Sequence, residues 1–145
     1  MTIAAVAIKQ KGLENVVAYF KESKKRMINF DAPLKKGGVM MLRSTDKNFK
    51  QGGRPSWQPL SRRRLVWKLR NGYSHLPLTM TGDLRRSITS RVTRNRLFVG
   101  TSIPYAKYHQ FGTRHIPKRT FLLFQDVDIE RLNQLLVEHI VEGGR

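Results

Sequence analysis

The chain contains no cysteine. That excludes a disulfide framework, a thiolate nucleophile and any cysteine-ligated metal centre. Acidic residues are scarce, 10 Asp and Glu against 28 Lys and Arg. Three of these acids, Asp126, Asp128 and Glu130, gather where a last helix should begin, and complementing its dipole accounts for them without catalysis. No apolar run approaches the roughly 18 residues of a membrane span. The first residues, Thr2 to Ile8, are apolar but lack the basic region of a signal peptide, so a soluble protein made in the cytoplasm is expected. There is no internal repeat, no G-x-S-x-G elbow, no P-loop and no G-x-G-x-x-G. Of the four histidines, His75, His109, His115 and His139, no two lie at i, i+4. His109 and His115 have no nearby carboxylate, and a surface or interface histidine is the simpler reading. No catalytic, cofactor-binding or metal residue is assigned, and an enzyme is not expected.

What the sequence does have is positive charge. The net charge is +18 over 145 residues. Such a chain repels itself as a lone monomer and attracts polyanions: nucleic acid, an acidic protein surface or anionic lipid. The cations run along the whole sequence: Lys21, Lys24, Lys25 and Arg26; Lys35 and Lys36; Arg62, Arg63, Arg64, Lys68 and Arg70; then Arg85, Arg86, Arg91, Arg94 and Arg96. Trp57, Trp67 and Tyr73 are interleaved with one of these clusters, which makes a DNA-binding reading legitimate. Against it, the charge is not confined to one element, and no zinc finger, RNA-recognition signature or helix-turn-helix is visible. The alternative is that the charges are solvated or meet acidic protein neighbours.

The length suits one domain, residues 1–145, and the hydrophobic fraction of 39% suits one modest core. Thr2 to Ile8 reads as a strand. Leu13, Val16, Val17 and Phe20 start a helix to about Ile28. Asp31 is placed to cap a second helix, which Gly52-Gly53 ends. Gly37-Gly38 inside that helix costs about 2 kcal/mol relative to two alanines, so close packing or a kink is expected there. Residues 51–60 form a loop in which Pro55 and Pro59 flank Trp57, an anchor for its own loop or for a partner. Ser61 caps a short helix through Leu69, Asn71-Gly72 turns, and Leu84 to Ile88 makes another short helix. Residues 88–124 read as β-rich: a hairpin over Ile88–Thr93 and Leu97–Thr101 with Asn95 at its turn, and a strand over Phe121–Phe124. Between them, Pro104 to Phe111 forms a helical turn, with Tyr105, Tyr108 and Phe111 expected to pin it to the sheet or to touch a neighbouring subunit. Asp126 caps a final helix to about residue 142, its stripe formed by Ile129, Leu132, Leu135, Leu136 and Ile140. The fold class is α+β, a small mainly antiparallel sheet packed with N- and C-terminal helices and joined by long loops.

Five segments in order carry more information than any one of them. They are Gly52-Gly-Arg-Pro-Ser-Trp-Gln-Pro-Leu-Ser61, Leu78-Thr-Met-Thr-Gly-Asp-Leu-Arg-Arg-Ser-Ile88, Val99-Gly-Thr101, Tyr105-Ala-Lys-Tyr-His-Gln-Phe-Gly112 and Ile116-Pro-Lys-Arg-Thr-Phe-Leu122. Together they resemble the phage virion morphogenesis family, which includes tail completion proteins of P2-like phages and G-type proteins of Mu-like phages. The resemblance covers about half the chain. The family commonly reads Ala-Arg-Pro-Phe where this sequence has Lys118-Arg119-Thr120-Phe121. The resemblance implies a virion structural protein at the head–tail junction that forms a ring, usually a hexamer, and completes the tail for joining to the head. It implies as partners other copies of the chain, tail terminator or tail tube proteins, and head-completion or connector proteins, with DNA nearby and no membrane. In that setting Trp57, Tyr105, Tyr108, His109, Gln110 and Phe111 are framework or interface candidates, and Arg54, Arg62, Arg63 and Arg64 are polar contacts. A lumen through which DNA slides should not grip phosphate, so most cations are expected to face outward or toward protein.

Overall fold

The computed structural model describes residues 13–142, and the strand expected over Thr2–Ile8 lies outside them. Two long helices come first, α1 (Leu13–Ile28) and α2 (Asp31–Gln51). Asp31 does not cap α2 but is its first residue. Its N–H is taken by Asn29 Oδ1 at 3.0 Å, so the preceding asparagine supplies the acceptor. At the other end Gly52 adopts φ 71°, and the N–H of Gly53 returns to Asn48 O at 2.7 Å. A left-handed residue that lets the chain fold back on the last turn is the usual role of glycine there.

Short helices α3 (Arg62–Arg70) and α4 (Asp83–Arg86) follow, then the hairpin β1 (Thr89–Thr93) and β2 (Arg96–Gly100). Ser61 Oγ accepts the N–H of Arg64, which fixes the start of α3. The strands are antiparallel, with Ser90 opposite Val99 and Val92 opposite Leu97. These four residues are the half-buried positions of an alternating pattern, and the sheet packs on α2. Arg94 and Asn95 both take positive φ, 49° and 58°, as a two-residue turn matched to strand twist requires. Asn95 also ties this turn to the α1–α2 corner, accepting from Phe30 N at 2.8 Å and donating to Ile28 O at 2.6 Å.

The paired glycines of α2 have a packing reason. A Cβ on Gly37 would run into the Leu132 side chain of the final helix, α6 (Asp126–Glu142). A Cβ on Gly38 would meet Ser90 Oγ at 2.8 Å and Leu97 Cδ1 at 3.1 Å. One glycine lets α6 approach and the other admits the hairpin. Gly38→Val should therefore push the hairpin off α2 and lower stability by about 1–3 kcal/mol. A urea midpoint unchanged by the substitution would contradict this close approach.

The best-buried cluster lies beyond the sheet, under the loops. Phe49 and Phe121 are fully buried and join Trp57, Leu84 and Ala106. The Phe49 ring meets Trp57 edge-on at 5.7 Å and Phe121 at 5.6 Å. Ala106 belongs to α5 (Ala106–Phe111).

Residues 121–124 correct the strand expected there. They are ordered by side chains rather than by a neighbouring strand. Asn48 Nδ2 donates to Phe121 O at 2.9 Å and Leu123 O at 3.0 Å. Gln110 Oε1 accepts the N–H groups of Phe121 and Leu122, both at 3.1 Å, and Gln110 Nε2 donates to Leu122 O. Two carboxamides do for this segment what a ladder would do, so its apolar run needs no sheet. Nor is Asp126 the cap of α6. Asp128 Oδ2 reaches back to Gln125 N at 3.0 Å, the return half of a capping box.

Candidate functional site

These elements assemble a platform of tied loops. Arg54 sits under it. Its guanidinium donates to Asn48 Oδ1 at 2.8 Å and to both the carbonyl and the hydroxyl of Ser44 at 2.7 Å. Ser44 Oγ in turn donates to the Asp128 carboxylate. Gln125 Nε2 donates to Arg54 O at 2.9 Å. One polar web thus joins α2, the Gly-Gly-Arg loop, the segment before α6, and α6 itself. Trp57 is buried and donates Nε1–H to Thr120 O at 3.0 Å, so its loop is anchored within the chain.

Beside this platform lies a cleft of about 560 Å³. Leu60, Leu78, Met80, Leu84, Ile116 and Pro117 give it apolar walls. Arg64, Lys68, Arg119, His109, His115 and Asp83 also line it. Lys68 is only 3% exposed and Arg119 7%. Lys68 Nζ donates to Leu76 O at 2.6 Å, while Arg119 donates to Gln58 O at 3.0 Å and Pro59 O at 3.4 Å. The acid in the cleft, Asp83, is held by Arg86 at 2.6 Å and by Thr81 Oγ1. Among the described residues, Lys68 and Arg119 thus meet carbonyl dipoles and no carboxylate.

Burial pushes the Lys68 ammonium below its ordinary pKa, and Arg64 adds to the effect. His109 is lowered in the same way, first by burial and then by Arg119. Its ring stands edge-on to Tyr105, and its Nδ1 is buried without a hydrogen-bond partner. The sign for stability follows. Below its ordinary value of 6.5 the unfolded chain protonates His109 more readily than the folded one, so stability is lost as pH falls through the folded pKa. His109→Gln should make the melting temperature fall less than in the parent between pH 7 and pH 5. Parallel melting curves for the two proteins would refute the assignment.

Tyr105, just before α5, and Tyr108 and Phe111 within it do not pin the helix. Tyr105 and Tyr108 are each 44% exposed and Phe111 is 75% exposed. Ala106 and Gln110 hold the helix instead, through the core and the 121–122 backbone. Arg62, Arg63 and Arg64 are exposed on α3. Arg62 and Arg63 border a shallow recess with Trp67 and Arg70, and Arg64 lies over the Trp67 ring at 4.5 Å. Tyr73 stacks on the same indole. The ten sequence candidates thus separate. Arg54, Trp57 and Gln110 bond internally; His109, Arg64 and Tyr105 line the cleft, the last two at its exposed rim; and Arg62, Arg63, Tyr108 and Phe111 lie at the surface away from it. Sequence reasoning missed Lys68 and Arg119 as a buried pair. Lys68 stood in a run of exposed cations, and only the Ile-Pro-x-Arg-x-Phe-Leu segment marked Arg119. Among the described residues, no group of three His, Cys, Asp or Glu is gathered as a metal set would be. No helix among them is long and apolar enough to cross a membrane.

The sequence profile of the phage virion morphogenesis family matches residues 9–141. The chain belongs to that family. It is also 40% identical over 106 residues to Mu-like prophage FluMu G protein 2 of Haemophilus influenzae, an alignment spanning 63% of this chain and 70% of that protein. No solved structure matches. Family membership gives the chain a role in phage virion assembly and makes it a virion-associated protein. The tied loops of this family member are the segments whose order first suggested the resemblance.

Proposed function

We propose that this chain is a structural protein of the phage head–tail junction, acting as a ring of identical copies that completes the tail for joining to the head. Its action is assembly by surface complementarity rather than catalysis. The observation that carries the reading is α1. From Val17 to Ile28 this helix has no fully buried side chain. Val16, Val17, Phe20, Met27 and Ile28 are between 45% and 66% exposed. On a wheel of about 100° per residue, Val16, Phe20 and Met27 fall within about 40° of one another, and Val17 and Ile28 widen the stripe to about 120°. Its contact with α6 uses a different face, where Tyr19 Oη reaches Val141 O and Arg26 reaches Ile140 O. An apolar stripe of this kind on a chain of charge +18 calls for cover, and a neighbouring copy in a closed ring supplies it at every subunit.

The test is electron microscopy of particles from a phage lacking this protein. Full heads and finished tails that fail to join, or tails of abnormal length, are expected. Normal joined particles would sink the proposal. A second reading, direct contact with packaged DNA, draws on Arg62, Arg63 and Arg70 around Trp67. It requires tight duplex binding that weakens steeply with salt. Trp67 already engages Tyr73 and Arg64, which leaves it poorly disposed to stack on a base.

A further inference from the structure

We propose that the cleft between α3, the Leu78–Leu84 segment and the Ile116–Arg119 loop receives an acidic peptide segment of another virion protein, with a carboxylate placed at Lys68 and Arg119. Three observations point there. Two cations more than nine-tenths buried line one cleft, and neither has a carboxylate partner among the described residues. Taking such charges out of water is costly unless an opposite charge meets them. His109 Nδ1, on the same wall, is buried and unpaired, a free polar site beside the cations. Finally, Asp83, the carboxylate that lines the cleft, bonds Arg86 and Thr81 and neither of the two buried cations.

The walls select among anions. Leu60, Leu78, Met80, Ile116 and Pro117 ask for apolar side chains flanking the charge. A duplex carries its phosphates on the outside of a wide rod, and such a rod cannot reach cations at this depth. An extended peptide that alternates acidic and aliphatic residues can. A second copy of this chain fits poorly, because its own alternating acidic stretch, Asp126 to Glu130, is wound into the first turn of α6 with Asp128 buried on Ser44 and Gln125. The source of the segment rests on the assembly reading above. The preference of the cleft does not, and it is measured on the isolated full chain.

The probe is a fluorescein-labelled hexapeptide alternating aspartate and leucine, with an asparagine version as control, followed by fluorescence anisotropy at physiological salt. Lys68→Met and Arg64→Ala should each weaken binding about tenfold. Arg63→Ala, which removes the same charge outside the cleft, should change it less than twofold. Lys68→Met should also leave the melting temperature equal or higher, because it removes an uncompensated buried charge along with one hydrogen bond. If Lys68→Met fails to fold, Arg64→Ala against Arg63→Ala still decides. Equal binding of the asparagine peptide, or equal loss from Arg63→Ala and Arg64→Ala, would overturn the proposal. So would displacement of the peptide by millimolar inorganic phosphate or by a short DNA duplex. Peptide binding with normal particle assembly in phage carrying Arg64→Ala would leave the cleft standing and remove its virion source.

Discussion

Replacing Asn48 by leucine should cost about 3–5 kcal/mol of stability. The side chain is fully buried, and leucine shares its branched outline but is bulkier, so lost hydrogen bonds and some overpacking act together. Asn48 gives its two amide hydrogens to Phe121 O and Leu123 O and takes Nε–H from Arg54. Leucine leaves two backbone carbonyls and one guanidinium donor without partners. A buried group left unsatisfied costs about 1–3 kcal/mol, and half-buried Arg54 recovers part of its share from water. The loss should be seen in urea unfolding, with faster proteolysis between residues 119 and 125 under native conditions. A loss below about 1 kcal/mol would mean that the loop platform is held by its apolar anchors alone. The comparison is informative because Phe49 and Phe121, which flank the site, are untouched by the change.

Asn48 also shows where the sequence could and could not be read. The helices, the hairpin and the α+β class follow from period and punctuation, because Leu, Val and Phe at helical spacing, glycine after Gln51 and Asn95 at the turn are local signals. Phe121 to Phe124 has the composition of a strand, and no local rule shows that two carboxamides, 73 and 11 residues away, occupy its backbone. Gly37-Gly38 announced a close approach without saying to what; the answers, Leu132 and Ser90, come from distant parts of the chain. The site was legible in type and not in place. Trp57 looked like an anchor because prolines bracket it. Tyr105, Tyr108 and Phe111 looked like anchors too, yet the small Ala106 between them is what enters the core. Lys68 was indistinguishable from its exposed neighbours. A cation on a short arginine-rich helix is solvated by default, and its burial depends on how the loop carrying Leu76 folds over it.

The other large effect concerns α1 and separates assembly from folding. Val17→Asp combined with Phe20→Asp should leave the isolated chain folded, with stability changed by less than about 0.5 kcal/mol, because both side chains are already exposed. The same pair should reduce infectious particles in a complementation assay by roughly a hundredfold or more. Two carboxylates in an apolar contact must be desolvated without partners, and in a closed ring the defect recurs at every subunit. Charge alone has to be separated from location. Lys25→Asp changes the net charge by the same two units on another face of α1, where it gives up only an exposed pair with Glu22. Such pairs contribute little, so this variant should fold and complement normally. If both variants fail equally, the basic charge of α1 matters and the apolar stripe does not, which would favour an acidic partner or DNA over a second copy. If neither fails, α1 lies outside any essential contact, and the case for a ring loses its main structural support. A selective failure of the apolar-face variant, with an unchanged melting curve, is the result expected of a helix whose partner lies in the next subunit.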